Sequence, residues 1–551
     1  MTPPIKDKSE FRVLIVYPNL YMMLVPSLAV AIFTRLLKSE GFQVELFETT
    51  RYEDWETASP ANRVKYMQAR KFDYEKDLGI TSRRGDMFAD FRRRVLEYKP
   101  DVLIVSAVED VFLQSVKLLE AIEDLNIPHL MGGVFPTAAG DRCLEFPVVQ
   151  RVARGEGEAI IAEFCERVRT HGDLDDIPGV WSREGVGKVR KNPSPPLVNI
   201  NLMRPDFSLF ESERFYRPMG GRVFKTVPVE TYRGCPYACT FCNSPMQRSV
   251  AKDEGVGNFL RRKTIANLRD ELAEIRDTVN PEFIYFVDDS FLARPKQEIF
   301  DFCDMYEEFK LPFWFNTRPE NCEADTMKRL KEVGCYRISF GVECGNEEYR
   351  RKVLLRYVSN ESVINSFHTI ADSGIPFSVN LIIGFPGETR ELVMDTVELV
   401  RSFAGYDTLT VSIFTPYHGT NLRAAAVRNG WLDPATITKH TTSKSLLNMP
   451  KPYLSSDDID GLVKVLPLYC YFPKSDWSAL RQAEESGEKA EEILAYYQDV
   501  YRRDFLRENQ DAAKVLVESA TGCRTNPKDA FYFSPKRLSE VEIRMLSVQA
   551  S

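Results

Sequence analysis

Three cysteines close together constrain this chain more than any other feature of its sequence. Cys235, Cys239 and Cys242 stand in the stretch RGCPYACTFCN, a CxxxCxxC pattern that directly follows a short apolar strand pattern. Three thiolates at this spacing on one loop can bind three corners of a four-iron four-sulfur (4Fe-4S) cluster and leave the fourth iron open. A structural cluster or a zinc site normally has four protein ligands. The alternatives are cysteines brought together by chance and a zinc knuckle that lacks one ligand.

Length and composition narrow the class of protein. At 551 residues the chain is too long for one core, and its net charge of -8 argues against a general nucleic-acid binder. Short basic runs such as residues 261–263 are interpreted as solvated helix faces. The 11 cysteines are an odd number, and eight of them lie singly, which is typical of reduced thiols in a cytoplasmic protein. We find neither a signal-peptide pattern nor an apolar run of about 18 residues, and therefore expect no membrane span.

The first part of the chain alternates between strand and helix patterns. Residues 12–17 and 101–106 are apolar runs typical of buried parallel strands, and residues 26–40 have helical spacing. The alternation predicts an α/β domain over residues 1–171 with a doubly wound, Rossmann-like parallel sheet. Such sheets bind ligands at the carboxyl ends of their strands. Residues 52–85 are polar and are left as an insertion.

A second strand–helix series follows a proline-rich stretch. Residues 172–225 are predicted to be a linker, residues 226–435 a partial (β/α)6 barrel, and residues 436–551 a helical C-terminal domain. In the last region, the spacing of apolar residues predicts helices at residues 457–468 and 484–506. The further barrel strands are expected at residues 283–287, 312–316, 336–342, 376–383 and 408–414. The helices between them are expected at residues 262–277, 295–309, 324–333, 361–373 and 389–403.

The cysteine loop, with the strand ends that follow it, resembles the radical S-adenosylmethionine (SAM) superfamily. The resemblance implies that the amino and carboxylate groups of SAM occupy the open iron of the cluster. It extends over five strand ends in barrel order, which is where barrel enzymes carry their active sites. These strand ends are residues 286–291, 316–320, 340–345, 381–388 and 415–420.

The resemblance also implies contacts to SAM. Asp288 or Asp289 matches the position that contacts the SAM amino group, and only one of the two is expected to face the site because adjacent strand residues point to opposite sides. Arg318 matches a residue whose guanidinium could form a bidentate pair with the SAM carboxylate.

Three further positions match the family pattern around the nucleoside part of SAM. Glu343 resembles an acidic residue near the ribose or the amine. Gly384 would let the backbone approach the adenine, and Phe241 fits an aromatic contact beside it. None of these residues is assigned a catalytic role.

The first domain resembles the cobalamin-binding domain that precedes the radical SAM domain in one large subclass. Ser106, Gly132 and Gly133 match positions that flank the cofactor tail, where glycine allows close approach of a bulky ligand. The DxHxxG motif, whose histidine binds cobalt in cobalamin mutases and methionine synthase, is absent. The corresponding loop, residues 18–26, is apolar and could cover the cobalt, or it could simply pack into a core.

The resemblance implies a reaction. A reduced cluster gives one electron to SAM, and the resulting 5′-deoxyadenosyl radical takes hydrogen from an unactivated carbon. C-methylation through cobalamin is the first prediction, and oxidative cyclisation or ring contraction is the alternative. A flavodoxin or ferredoxin is expected to supply the electron. An iron–sulfur redox sensor or scaffold is the alternative of another class, and the substrate, a small molecule or a peptide, is not identified by the sequence.

Overall fold

The protein is described by a computed structural model that covers residues 4–53, 60–70, 72–185, 187–220, 222–439, 444–508 and 538–546. Two seven-stranded sheets form the framework, and a pair of short strands makes a separate two-stranded sheet. Within the described residues, no helix is both long enough and apolar enough to cross a bilayer. One singly placed cysteine, Cys523, lies outside the described residues.

The first sheet has the strand order β2-β1-β3-β4-β5-β6-β7. Its first five strands are parallel, and the last two run antiparallel at one edge. The strands are β1 (Arg12–Tyr17), β2 (Gln43–Glu48), β3 (Val102–Ser106), β4 (His129–Gly132), β5 (Arg151–Ala153), β6 (Val180–Gly185) and β7 (Lys188–Lys191). The order reverses beside β1, as it does in doubly wound sheets, and the predicted Rossmann-like architecture is confirmed.

Helices cover both faces of this sheet. In α1, the Ser27 hydroxyl accepts a hydrogen bond from the Val30 amide, and this cap starts the helix where its apolar face begins. The helices are α1 (Leu28–Ser39), α2 (Pro60–Lys65), α3 (Tyr74–Leu78), α4 (Met87–Tyr98), α5 (Phe112–Glu120), α6 (Val134–Leu144) and α7 (Ile161–Arg169). The short helices α2 and α3 belong to the insertion that the sequence left unassigned.

The second sheet is a curled half-barrel with the order β16-β15-β14-β13-β12-β9-β8. Six strands are parallel, as predicted, and β8 adds an antiparallel seventh. The strands are β8 (Tyr216–Met219), β9 (Arg222–Val229), β12 (Phe283–Phe286), β13 (Phe313–Thr317), β14 (Cys335–Glu343), β15 (Phe377–Ile383) and β16 (Thr408–Ile413). The separate pair consists of β10 (Tyr232–Arg233) and β11 (Arg261–Arg262).

Helices follow the barrel strands on the convex side. Their buried faces, such as Phe302 and Tyr306 of α10, pack against strand residues that point outward, such as Phe286. They are α8 (Ser244–Asp253), α9 (Ile265–Val279), α10 (Lys296–Tyr306), α11 (Ala324–Glu332), α12 (Glu347–Lys352), α13 (Asn360–Ser373), α14 (Arg390–Arg401) and α15 (Asn421–Arg428). Short 3-10 helices occur at Lys8–Glu10, Glu109–Val111, Glu123–Leu125, Gly157–Ala159, Ile200–Leu202, Ser212–Phe215, Pro319–Asn321 and Lys474–Asp476.

The C-terminal region is helical where it is described. Its helices are α16 (Ser456–Tyr471), α17 (Trp477–Ala483), α18 (Glu488–Asp504) and α19 (Glu540–Leu546). The helix predicted over residues 484–506 begins later, because Gly487 has a φ of 121° and separates α17 from α18. Helix α16 is largely buried from Ile459 onward and packs on the barrel.

The stretch predicted to be a linker contributes strands to both sheets. Strands β6 and β7 extend the first sheet, and β8 extends the second. Strand β7 is exposed at the edge and lacks the apolar alternation by which strands are found in a sequence.

Candidate functional site

The cysteine loop is fixed at both ends by backbone structure. It follows β10, and α8 begins just after it, so that the Ser244 amide donates to the Cys242 Sγ at 3.5 Å. All three cysteines are partly buried. Burial raises the pKa of Cys235 to about 11 and that of Cys242 to about 12. The side chains of Cys235 and Cys242 are therefore neutral thiols at pH 7, and metal binding must release their protons.

The donor set fits a cluster better than a single ion. Within the described residues, no group of three or more His, Cys, Asp or Glu side chains could hold one metal ion. A 4Fe-4S cluster is held differently, because each thiolate binds a different iron of the cube. Three partly buried thiols on one loop are suited to such a cluster with an open corner.

Arg318 contacts the cysteine loop. Its Nη2 atom donates to the Cys239 Sγ at 2.7 Å, and its guanidinium carbon lies 3.5 Å from the centroid of the Tyr237 ring. Glu320 pairs with its Nη1 atom at 3.2 Å. The residue predicted to bind the SAM carboxylate thus follows β13 as expected, and here its charge is directed at the Cys239 thiol.

The adjacent carboxylates after β12 point to different places, as the strand geometry predicts. Asp288 is buried and accepts hydrogen bonds from the amides of Thr231 and Tyr232 at 2.7 and 3.1 Å and from Arg294 at 2.5 Å. It holds the start of the cysteine loop.

Asp289 is the carboxylate that faces the cysteine loop. It accepts a hydrogen bond from the Ser244 hydroxyl at 3.1 Å, and its charge acts on Cys235. Burial raises the pKa of Asp289, and the charges of Asp288 and Glu230 add to this effect. Of the two candidates, only Asp289 lies where a ligand beside the cluster could contact it.

A cavity of about 170 Å³ lies between the first domain and the cysteine loop. The first domain contributes the carboxyl end of β5, and the barrel contributes the ends of β9 and β12. Its polar lining residues include Thr137, Glu156, Ser194, Glu230, Tyr232, Arg233, Gln247 and Asp289.

A charged network at the edge of this cavity joins the two domains. Glu156 of the first domain pairs with Arg233, two residues before Cys235, at 3.0 Å and with Arg261 at 2.5 Å. Arg233 also pairs with Glu158 at 2.9 Å and with Glu230 at 2.8 Å. The network ties the loop after β5 to the first residues of the cysteine loop.

The sequence missed this network. The basic run at residues 261–263 was interpreted as a solvated helix face, and that interpretation is wrong. Arg261 lies in β11 and binds Glu156, while Lys263 is buried with Glu271 at 2.5 Å. The only signal in the sequence is the arginine that precedes the cysteines and the acidic stretch at residues 155–158, which lie far apart along the chain.

Glu343 ends β14 in an unusual conformation. Its φ is 68°, and the strand register shifts between Gly341 and Glu343. The side chain pairs with Arg356 at 3.1 Å. Burial raises the pKa of Glu343, although Arg356 and Arg318 oppose the rise. Backbone strain of this kind is concentrated at functional sites.

Gly384 and Phe241 lie on the same side of the barrel. The Gly384 amide donates to Glu388 at 2.6 Å, and a Cβ at Gly384 would lie within 3 Å of the Ile459 side chain of α16. Phe241 packs against Phe385, with ring centroids 5.7 Å apart. Gly384 thus borders a buried helix on its Cβ side. Burial raises the pKa of Glu388 to about 8, and the sequence did not mark this residue.

The predicted cobalamin positions meet at the carboxyl edge of the first sheet. Ser106 pairs in register with Gly132. Gly133 has a φ of 126°, and a Cβ there would overlap with the carbonyl of Ala107. Met22, in the loop that lacks the cobalt-binding histidine, packs into a small apolar cluster. The structure thus places part of this loop in a core.

A second contact between the domains lies beside this edge. Glu109 accepts hydrogen bonds from the backbone and the Nδ1 atom of His418 at 2.9 and 2.7 Å. The Tyr417 hydroxyl donates to Asp110 at 2.9 Å. Burial raises the pKa of Asp110 to about 6. The loop after β16 is therefore held against the first domain.

Comparison with known proteins agrees with this geometry. Residues 229–400 match the family model described as "Radical SAM superfamily". The chain is 26% identical over 383 residues to an uncharacterized methyltransferase of Pyrococcus horikoshii, covering 68% of this chain and 80% of that protein. It is 30% identical over 160 residues to the cobalamin-dependent radical SAM methyltransferase TokK of Streptomyces tokunonensis, covering 26% of this chain and 22% of TokK.

A solved structure shares the fold. The radical SAM methyltransferase TsrM from Kitasatospora setae, solved with cobalamin and a 4Fe-4S cluster, aligns with a TM-score of 0.59 at 16% identity. The alignment covers 89% of this chain and 99% of TsrM. At this identity the likeness concerns the fold.

Proposed function

Because the chain belongs to the radical SAM superfamily, we propose that it is a cobalamin-dependent enzyme that methylates an unactivated carbon of its substrate. The main support for the proposal is the arrangement of side chains at the carboxyl ends of the barrel strands. Three thiols, Arg318 and Asp289 meet there, opposite the carboxyl edge of a Rossmann-like domain. The methyltransferases among the relatives support the choice of reaction.

The residues at the site have different roles in this proposal. Cys235, Cys239 and Cys242 bind the cluster, which supplies the electron that cleaves SAM. Asp289 accepts a hydrogen bond from the SAM amino group, and Arg318 orients the loop through Cys239. The walls of the cavity exclude water, which strengthens each of these electrostatic contacts.

The first domain is proposed to bind cobalamin at the carboxyl ends of its strands. Ser106 and Gly132 lie side by side there, and the side of Gly132 on which a Cβ would stand has only Ala153 nearby. The contacts of Glu156 with Arg233 and of Glu109 with His418 hold this edge against the barrel. The proposal therefore needs no rearrangement of the domains to bring the two cofactors together.

Several finer points remain part of the proposal. The proposal includes domain boundaries after residues 171, 225 and 435. It also includes a cytoplasmic location and a flavodoxin or ferredoxin as the electron donor. Phe241, Glu343 and Gly384 are proposed to surround the nucleoside of SAM. The substrate is proposed to be a small molecule or a peptide.

The experiment that tests the proposal follows the methyl group of SAM. The protein is reconstituted anaerobically with iron, sulfide and cobalamin, and is given SAM labelled in its methyl group, a reductant and an extract of small molecules from the source cells. We expect 5′-deoxyadenosine together with label on a carbon of one product. Release of 5′-deoxyadenosine with an unlabelled, cyclised or ring-contracted product would favour the non-methylating alternative. A redox sensor or scaffold would yield neither 5′-deoxyadenosine nor product.

A further inference from the structure

An arginine lies over a pair of aromatic rings inside the half-barrel. The guanidinium of Arg217, in β8, is 4.6 Å from the ring centroid of Trp314 and 5.2 Å from that of Tyr285. The two rings are stacked, with centroids 4.2 Å apart. The Trp314 Nε1 atom donates to the Ser339 hydroxyl at 2.8 Å, and the Asn316 amide donates to the Tyr285 hydroxyl at 3.1 Å. Arg217 therefore rests on a fixed surface.

These side chains lie on the concave face of the sheet. Phe286 and Phe315, which alternate with them, pack outward against the surrounding aromatic core. Successive residues of a strand point to opposite faces, so that Tyr285, Trp314 and Asn316 point inward. The inward positions are largely polar and several are partly exposed, unlike the buried residues between them. The partly exposed ones include Tyr285, Asn316, Asn380, Thr410 and Ser412.

The insertion of the first domain reaches the open side of the half-barrel. Gln68 donates to the backbone carbonyl of Val411 in β16 at 2.7 Å, which places this segment against one edge of the sheet. Tyr74 packs against the same small apolar cluster as Tyr216 of β8, which lies at the other edge. The described part of the insertion therefore has residues near both edges of the half-barrel sheet.

The positive charge of Arg63 in α2 acts on Arg217 and on Tyr74. Burial lowers the pKa of Arg217, and the neighbouring charge of Arg63 lowers it further. Burial raises the pKa of Tyr74, and the charges of Arg217 and Arg63 both act against that rise.

Neither guanidinium has a carboxylate partner among the residues that the structure describes. Elsewhere inside the barrel, by contrast, Arg337 pairs with Asp407 through two hydrogen bonds. The positive charges of Arg217 and Arg63 act on each other unfavourably, and a bound anion would relieve this effect. Arginine presents a planar fork of donors that matches a carboxylate or a phosphate group.

We propose that Arg217 binds a carboxylate or phosphate group of the substrate within the half-barrel, and that Arg63 adds positive charge at this site. The inference rests on the proposed function, because it takes the concave face to be the substrate site of that reaction. It makes the substrate an anionic compound and gives the insertion a part in recognising it.

The test measures anion binding to the reconstituted full chain by isothermal titration calorimetry at constant ionic strength. Pyrophosphate and citrate are the two probes, and they distinguish a phosphate from a carboxylate. We expect the wild-type protein to bind at least one probe, and Arg217→Gln and Arg63→Gln each to weaken that binding about tenfold. Arg269→Gln, which breaks an exposed pair with Glu308 on the convex side, is the control and should leave the affinity unchanged.

Each outcome decides the question. Binding that weakens in the arginine variants but not in Arg269→Gln supports the site. No binding of either probe by the wild-type protein, or binding that neither substitution weakens, overturns it. If Arg217→Gln fails to fold, Arg63→Gln alone decides, since Arg63 is exposed and its loss should not disturb the core. Release of 5′-deoxyadenosine by the wild-type protein is measured separately, and its absence would contradict the proposed function whatever the anion result.

Discussion

The guanidinium of Arg318 donates a hydrogen bond to the sulfur of Cys239 at 2.7 Å. The side chain is held in this position by the Tyr237 ring below it and by Glu320. Hydrogen bonds to the cysteine sulfurs are among the factors that set the reduction potential of an iron–sulfur cluster. A positive donor at this position favours the reduced, more negative cluster.

We expect Arg318→Gln to make the cluster harder to reduce. Loss of the positive charge should lower the midpoint potential on the order of 59 mV, which corresponds to a tenfold change in the ratio of reduced to oxidised cluster. Potentiometric titration followed by electron paramagnetic resonance measures this shift. Arg329→Gln, which breaks exposed pairs of α11, is the matched control. An unchanged potential in Arg318→Gln would show that the hydrogen bond does not tune the cluster.

The two adjacent carboxylates should respond differently to the same substitution. Asp289→Asn should weaken SAM binding about tenfold while the fold is retained, because Asp289 faces the cysteine loop. Asp288→Asn should instead lower the free energy of unfolding by about 3 kcal/mol, because it leaves the buried Arg294 without its partner. Equilibrium dialysis with SAM and thermal unfolding measure the two effects. Equal SAM affinity in wild type and Asp289→Asn would contradict the assignment.

The contact between the domains should depend on pH through Glu156. Burial alone would raise the pKa of this carboxyl, but Arg261 and Arg233 hold it below its ordinary value of 4.5. A depressed carboxyl pKa stabilises the fold above the unfolded-state value and loses that contribution as the pH falls through the folded-state value. Glu156→Gln should therefore lower the free energy of unfolding by about 2 kcal/mol at pH 7.

The difference in the free energy of unfolding between wild type and Glu156→Gln should shrink as the pH falls below about 4.5, because the wild-type carboxyl then also becomes neutral. Urea unfolding at several pH values measures both limits. Glu163→Gln, which breaks an exposed pair with Arg167, should have little effect at any pH. A constant difference between wild type and Glu156→Gln across the pH range would refute the charged network as its cause.

Substitution of Gly132 and of Gly133 in the first domain should distinguish a binding role from a structural role. Gly133→Ala should lower the free energy of unfolding by about 3 kcal/mol, because its φ of 126° and the nearby Ala107 carbonyl leave no room for a Cβ. Gly132→Ala should fold, since its Cβ would make only ordinary contact with Ala153 at 3.4 Å. It should retain less cobalamin, as measured by absorption spectroscopy of the purified protein. Full retention of cobalamin by Gly132→Ala would contradict the proposal that Gly132 lies beside the cofactor.

The fold was largely predictable because its signals are local. Apolar runs mark the parallel strands, and helical spacing marks the helices between them. The antiparallel strands β6, β7 and β8 escaped prediction. Strands β7 and β8 have only four residues each and lie at sheet edges, and β6 has a run of three buried residues without apolar alternation. Their positions depend on the neighbouring strand rather than on their own pattern.

The site was predictable only in part. The cysteines follow from their spacing. Asp288 and Asp289 follow from the family resemblance, and strand geometry adds only that one of the two faces the site. The contacts of Arg318 with Cys239 and of Glu156 with Arg233 and Arg261 could not be predicted, because each of them joins residues more than 70 positions apart in the chain. Such contacts are set by the packing of the domains, which no local pattern encodes.

The central claim is that the three cysteines hold a cluster that cleaves SAM. The most direct measurement is the amount of 5′-deoxyadenosine formed anaerobically by the reconstituted protein with SAM and dithionite. We predict formation by the wild-type protein and by Cys322→Ala, whose thiol lies outside the cysteine loop, and none above background by Cys239→Ala. Equal formation of 5′-deoxyadenosine by wild type and Cys239→Ala, or none by the wild-type protein with a full complement of iron and sulfide, would contradict the account.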